Sequence, residues 1–104
     1  MKKLLLAVLL TTAGLFTSYI SNAQLTPSSH QVPVAPPKVK AALAAFFEQI
    51  DPYGLLDEFR TSRTIYMDKG TFKVVDTYDL EGGAMVVFDI SPKGEILHRY
   101  VEFI

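Results

Sequence analysis

Hydrophobic and polar positions follow three rhythms along this chain, and each predicts a different kind of element. An unbroken apolar run from Leu4 to Leu10 comes first and thins out towards Ile20. From Val39 the spacing becomes three and four: Val39, Leu43, Phe46, Phe47 and Ile50 recur, with Lys38, Lys40 and Glu48 elsewhere and alanines filling the rest. That is the period of an amphipathic helix. Pro37 suits its first position, where a missing N–H is harmless. Asp51-Pro52 and then Gly54 stop it after Ile50.

After Thr64 the rhythm is two. Thr64 to Met67, Thr71 to Leu80, Ala84 to Ile90 and Glu95 to Phe103 are separated by Asp68-Lys69-Gly70, Gly82-Gly83 and Ser91-Pro92-Lys93-Gly94. Strands joined by such short turns predict an antiparallel meander. Phe72, Val74, Tyr78 and Leu80 share one face of the second strand, and Ala84, Val86, Phe88 and Ile90 share one face of the third. Asp76 interrupts the first set, which predicts a bulge or a partly exposed position there. The last strand leaves two registers open. Leu97, Val101 and Phe103 form one set, broken by Arg99; Ile96, His98 and Tyr100 form the other. The stretch from Leu55 reads as a short helix or turn that drifts into strand composition by Arg63. The expected fold is therefore α+β: an amphipathic helix, with a short second helix, packed on a four-stranded antiparallel meander.

The first rhythm changes what the rest must do. Met1-Lys2-Lys3 precedes the apolar run, and Ser21 and Ala23, two apart, follow it. A basic start, an apolar centre and a small-x-small site predict a signal peptide over residues 1–23, hence an exported protein, periplasmic or extracellular. Thr11, Thr12, Gly14, Thr17 and Ser18 dilute the run, and no basic cluster follows it, so cleavage is expected rather than a membrane anchor. No Cys stands at the site to take a lipid. Removing 23 of 104 residues leaves 81; Lys2 and Lys3 depart while every acid stays, so the net charge moves from −1 to −3. An acidic, mixed surface argues against nucleic acid, which demands a basic stripe. Without Cys, no disulfide holds this small exported domain, and one core must do so alone. Residues 24–36 carry Pro27, Pro33 and Pro36 among Ser, Gln and Val, an extended or disordered lead before a single domain over 37–104.

Candidate chemistry is sparse. The histidines are His30, in the lead, and His98, on the last strand with Tyr100 and Glu102; alternation alone puts such polar residues on a solvated face. Neither stands in a nucleophile–base pattern. Asp76, Asp79 and Glu81 lack the spacing of a calcium loop, and in a strand Asp76 and Asp79 point to opposite faces. Gly82-Gly83 is a turn signal, not a phosphate loop. No catalytic, cofactor or metal site is expected, and the chain reads as a non-enzyme.

The order of elements, with Pro36-x-x-Val39-x-x-Ala42-Leu43-x-x-Phe46-Phe47 and Gly82-Gly83-x-x-Val86-Val87-Phe88-Asp89 running on to Gly94-Glu95-Ile96, resembles the PepSY-like, β-lactamase-inhibitor-protein-like small periplasmic domains over residues 34–104. The chain departs from that pattern in having no Trp. The resemblance implies a binding or inhibitory module that meets a protein or peptide partner through its sheet face. Tyr66, Tyr78 and Tyr100 are the candidate contact residues, since tyrosine is enriched at binding hot spots. The alternative is a carrier of a small apolar ligand held between helix and sheet. An unpaired last strand would also offer an edge to a second copy.

Overall fold

The computed structural model of the protein describes residue 25 and residues 27–103; the predicted signal peptide lies outside the described residues. Its elements run β1 (His30–Gln31), α1 (Pro37–Ile50), α2 (Leu55–Phe59), β2 (Arg60–Asp68), β3 (Thr71–Tyr78), β4 (Ala84–Ile90) and β5 (Ile96–Phe103). The strands form one antiparallel sheet in the order β1-β2-β3-β4-β5. The fold is mixed α and β, with five strands rather than the four expected. The extra strand comes from the proline-rich lead, where His30 and Gln31 pair with Met67 and Tyr66. The Val32 N–H still reaches the Ile65 carbonyl at 2.8 Å, and Pro33, with no N–H to give, ends the pairing. No helix among the described residues is long and apolar enough to cross a membrane.

The helix forms where the pattern puts it. Pro36 precedes it with extended backbone, Pro37 takes the first helical position, and the Lys40 N–H closes the first turn on the Pro36 carbonyl at 2.9 Å. Its stripe of Val39, Leu43 and Phe46 is buried. The Phe46 and Phe47 rings stand edge-on to Phe88 of β4, with centroids 5.3 and 5.9 Å away. The inner face of the sheet and this stripe share one core, to which Leu56 of α2 and Leu80 also belong. Asp51 joins the two helices: its carboxylate accepts from the Leu55 and Leu56 N–H groups, both at 2.8 Å, satisfying donors that a helix start leaves free.

Burial along β3 alternates without a break, and Asp76 sits at one of its buried positions, 0 % exposed. The bulge or partial exposure expected at Asp76 is therefore absent. The irregularities lie in the strands on either side of the β3–β4 pair. One falls between Arg60 and Ser62 of β2, where Thr61 is the extra residue, so that β2 begins four residues before the expected Thr64. The other lies in β5: Asp89 faces His98 while Ile90 faces Ile96, so Leu97 is extra. A one-residue insertion switches the face of everything beyond it. Ile96, Arg99, Val101 and Phe103 thus line up with inner-face residues of β4, and His98, Tyr100 and Glu102 with outer-face ones. Each of the two registers left open for the last strand therefore holds over only part of its length.

Candidate functional site

Two features concentrate polar and aromatic chemistry, one on each face of the sheet. On the inner face, Asp76 is held by three groups. The Arg63 guanidinium donates in two parallel bonds of 2.7 and 2.8 Å, the Arg60 Nε at 3.3 Å, and the Tyr78 hydroxyl at 3.3 Å. The bulge at Thr61 allows this, because without it Arg60 and Arg63, three apart, would point to opposite faces. Arg60 also pairs with Asp57 of α2. Desolvation works against the Arg60 charge, but charge interactions with Tyr78 and Asp76 and hydrogen bonds to Asp57 and Tyr78 outweigh it and raise its pKa. Burial, and then the Asp76 charge, push the Tyr78 phenol well above its ordinary value. The hydroxyl is held as a donor.

The same guanidiniums cover aromatic rings. Arg60 and Arg63 lie 5.2 and 5.6 Å from the Phe47 centroid, and Arg99 of β5 lies 4.8 Å from that of Phe46. Desolvation lowers the Arg99 pKa. Beside Arg60 and Arg63 a cleft of about 460 Å³ opens between α1 and the start of β2, with Lys40, Phe47, Glu48 and Asp57 on its walls. Its charges are mixed in sign, and the arginines in it already serve Asp76.

The outer face is built from side chains of β2 to β5 that alternate with the core. Cross-strand pairing sets them in rows. Tyr66, Lys73, Asp89 and His98 form one; Thr64, Val75, Val87 and Tyr100 form the next; Ser62, Thr77, Met85 and Glu102 the third. Val87 is buried here with no helix of the described residues above it, in the row between Val75 and Tyr100. Asp89 is the polar centre. Lys73 reaches it at 2.9 Å, the Tyr100 hydroxyl at 3.4 Å and His98 Nδ1 at 3.7 Å, and the His98 and Tyr100 rings stack 6.1 Å apart.

The three tyrosines do not share a surface. Tyr66 and Tyr100 are on the outer face but on β2 and β5, with β3 and β4 between them. Tyr78 is on the inner face, 2 % exposed, so it cannot meet a partner in the folded domain. A strand residue with an apolar body and one hydroxyl fits either face, and here Asp76 offers that hydroxyl a buried acceptor. Asp79, just past the end of β3, is exposed, and no group of three acidic or histidine side chains able to hold a metal ion occurs among the described residues. The Arg60–Asp76–Arg63 cluster escapes pattern reading, although an acid inside an apolar alternation is its signature.

No family model matches the chain, and no curated protein or solved structure compared with it matches either.

Proposed function

We propose that this is a non-enzymatic exported module that binds a protein or peptide partner on the outer face of its sheet. The observation that carries the reading is that face itself: Tyr66, Val75, Met85 and Tyr100 stand there, around the buried Val87, in a frame of Thr64, Thr77, Lys73, Asp89 and His98, with no described helix over it. Aromatic and apolar centres rimmed by polar groups are the composition of protein-binding surfaces. The charged groups on the inner face support the reading from the other side, since Asp76, Arg60 and Arg63 are spent on one another. The resemblance to PepSY-like domains points the same way.

Photoreactive benzoylphenylalanine placed at Thr77, on the outer face, and separately at Gln49, on the exposed side of α1, tests this in intact cells of the source organism. Crosslinked partner from the Thr77 position and none from Gln49 is the expected result. Crosslinks from Gln49 alone, or from neither, overturn it. Fractionation of the same cells, with N-terminal sequencing of the product, tests export; a mature start at Gln24 is expected.

A further inference from the structure

The two edges of the sheet are finished differently. On one side β1 is two residues long and is cut off by Pro33, and the stretch of β2 that it leaves uncovered is bent by the bulge at Thr61; both are ways an edge is blunted. On the other, β5 presents an edge of eight residues, paired only with β4 among the described residues. Leu97 and Phe103, near its two ends, are 47 and 50 % exposed. Such an edge is a template for another strand.

The sequence of β5 is complementary to its own reverse. We infer that two copies of the chain pair antiparallel through β5 about a two-fold axis at Tyr100, joining their sheets into one. The axis must fall on a residue and not between two, because only then do inner-face side chains meet inner-face ones. Centred on Tyr100, the register sets His98 opposite the partner's Glu102, Arg99 opposite the partner's Val101, and Leu97 opposite the partner's Phe103. Each copy thus supplies one donor–carboxylate pair on the outer face and one apolar pair at the strand end. Tyr100 meets its own copy at the axis, where aromatic cross-strand pairs are favourable. A centre one residue earlier would set Arg99 against the partner's Arg99, and like charges directly opposite destabilise a ladder. A centre one residue later would set His98 beyond Phe103 and lose the pairing with Glu102. Charge complementarity selects Tyr100. The inference does not rest on the outer-face binding proposed above, although Tyr100 and His98 belong to both surfaces.

Sedimentation equilibrium of the full chain, with its charge variants, tests it. Wild type is expected as a dimer. His98→Glu puts two acids opposite each other twice, and Glu102→Lys twice replaces the acceptor facing His98 by a second donor; each should weaken dimerisation about tenfold. The double variant H98E/E102K restores opposite signs and should return to within about threefold of wild type. Repulsion between the introduced carboxylate and neighbouring Asp89 is common to H98E and the double variant, so their difference reads the contact between copies. Because the chain has no Cys, Tyr100→Cys should form a disulfide-linked dimer on mild oxidation, and Lys73→Cys, on the central β3, should not. A monomer at high concentration, a dimer indifferent to the single variants, a double variant no better than the singles, or equal crosslinking from both cysteines overturns the inference.

Discussion

Replacing Asp76 by Ala should cost more than any other single polar substitution on the inner face. The carboxylate is 0 % exposed and accepts four hydrogen bonds, two from Arg63 at 2.7 and 2.8 Å and one each from Arg60 and Tyr78 at 3.3 Å. Breaking a buried ion pair by removing one partner costs about 3–5 kcal/mol, because the other charge is left desolvated. Two features reduce that here. The Arg63 side chain is 30 % exposed and can turn towards water, and Arg60 keeps Asp57. The stranded Tyr78 hydroxyl adds to the loss, since an unsatisfied buried donor costs about 1–3 kcal/mol. The balance is about 3 kcal/mol for Asp76→Ala. Asp76→Asn keeps the shape but turns amide hydrogens towards guanidinium, for about 2 kcal/mol.

Against a stability of roughly 5 kcal/mol for so small a domain, that is more than half. With no Trp in the chain, urea unfolding is best followed by far-ultraviolet circular dichroism. At a slope of about 1 kcal/mol per molar urea, the Asp76→Ala midpoint should fall by roughly 3 M. The double variant Asp76→Leu with Arg63→Met should recover at least half of the loss, since an apolar pair of similar volume often replaces a buried ion pair without cost. A midpoint shift below about 0.5 M for Asp76→Ala, or no coupling between positions 63 and 76, would refute the reasoning.

The Tyr78 phenol is held well above its ordinary value by burial and then by the Asp76 charge. Since the folded state keeps a proton that the unfolded chain releases near pH 10, this contribution is complete below about pH 10 and is lost as pH rises beyond it. Urea midpoints measured between pH 9 and 11.5 should therefore fall for wild type and fall less for Tyr78→Phe; parallel curves would exclude the linkage. Gly94 has φ +92° and an added Cβ would lie 3.0 Å from the Lys38 carbonyl oxygen, whereas Gly70 has φ +80° and open space around it. Gly70→Ala should cost about 1 kcal/mol and Gly94→Ala about 2–3 kcal/mol, because only the second adds a clash with helix backbone to the strain of a left-handed conformation. Equal midpoints for the two variants would mean that the β4–β5 turn does not rest on the start of α1.

The parts of this fold that are legible in the sequence are those where one period runs unbroken. Val39 to Ile50 and the alternation Phe72-Val74 read correctly because nothing interrupts their rhythm, and Ala84 to Ile90 does so although Val87 is buried on the other face as well. The parts that are not legible lie at inserted residues. Period-two reading assumes a constant register, and Thr61 and Leu97 each shift it by one, so the arginines beyond them, Arg60 and Arg99, turn to the inner face. The short β1 is hidden for another reason: two residues before a proline carry no period at all.

Asp76 is the instructive case, because its role can be counted out from the turn. The loop between β2 and β3 is two residues, Lys69 at φ 55° and Gly70 at φ 80°, a turn that fixes Asp68 opposite Thr71. Five steps out from that pair along each strand lead to Arg63 on one side and Asp76 on the other. An acid set in an apolar alternation, with a base directly across the hairpin, is better read as a buried pair than as an interruption, since burial without a partner is the costly alternative. The three inner-face arginines that look like breaks in the pattern thus form one frame: Arg60 and Arg63 over Phe47 and Arg99 over Phe46, around the rings that seat the helix on Phe88. Tyr78 belongs to that frame and not to a binding surface, which leaves the outer face to Tyr66 and Tyr100 alone. Of these only Tyr100 stands at an open edge, so a partner that needs both must span the width of the sheet.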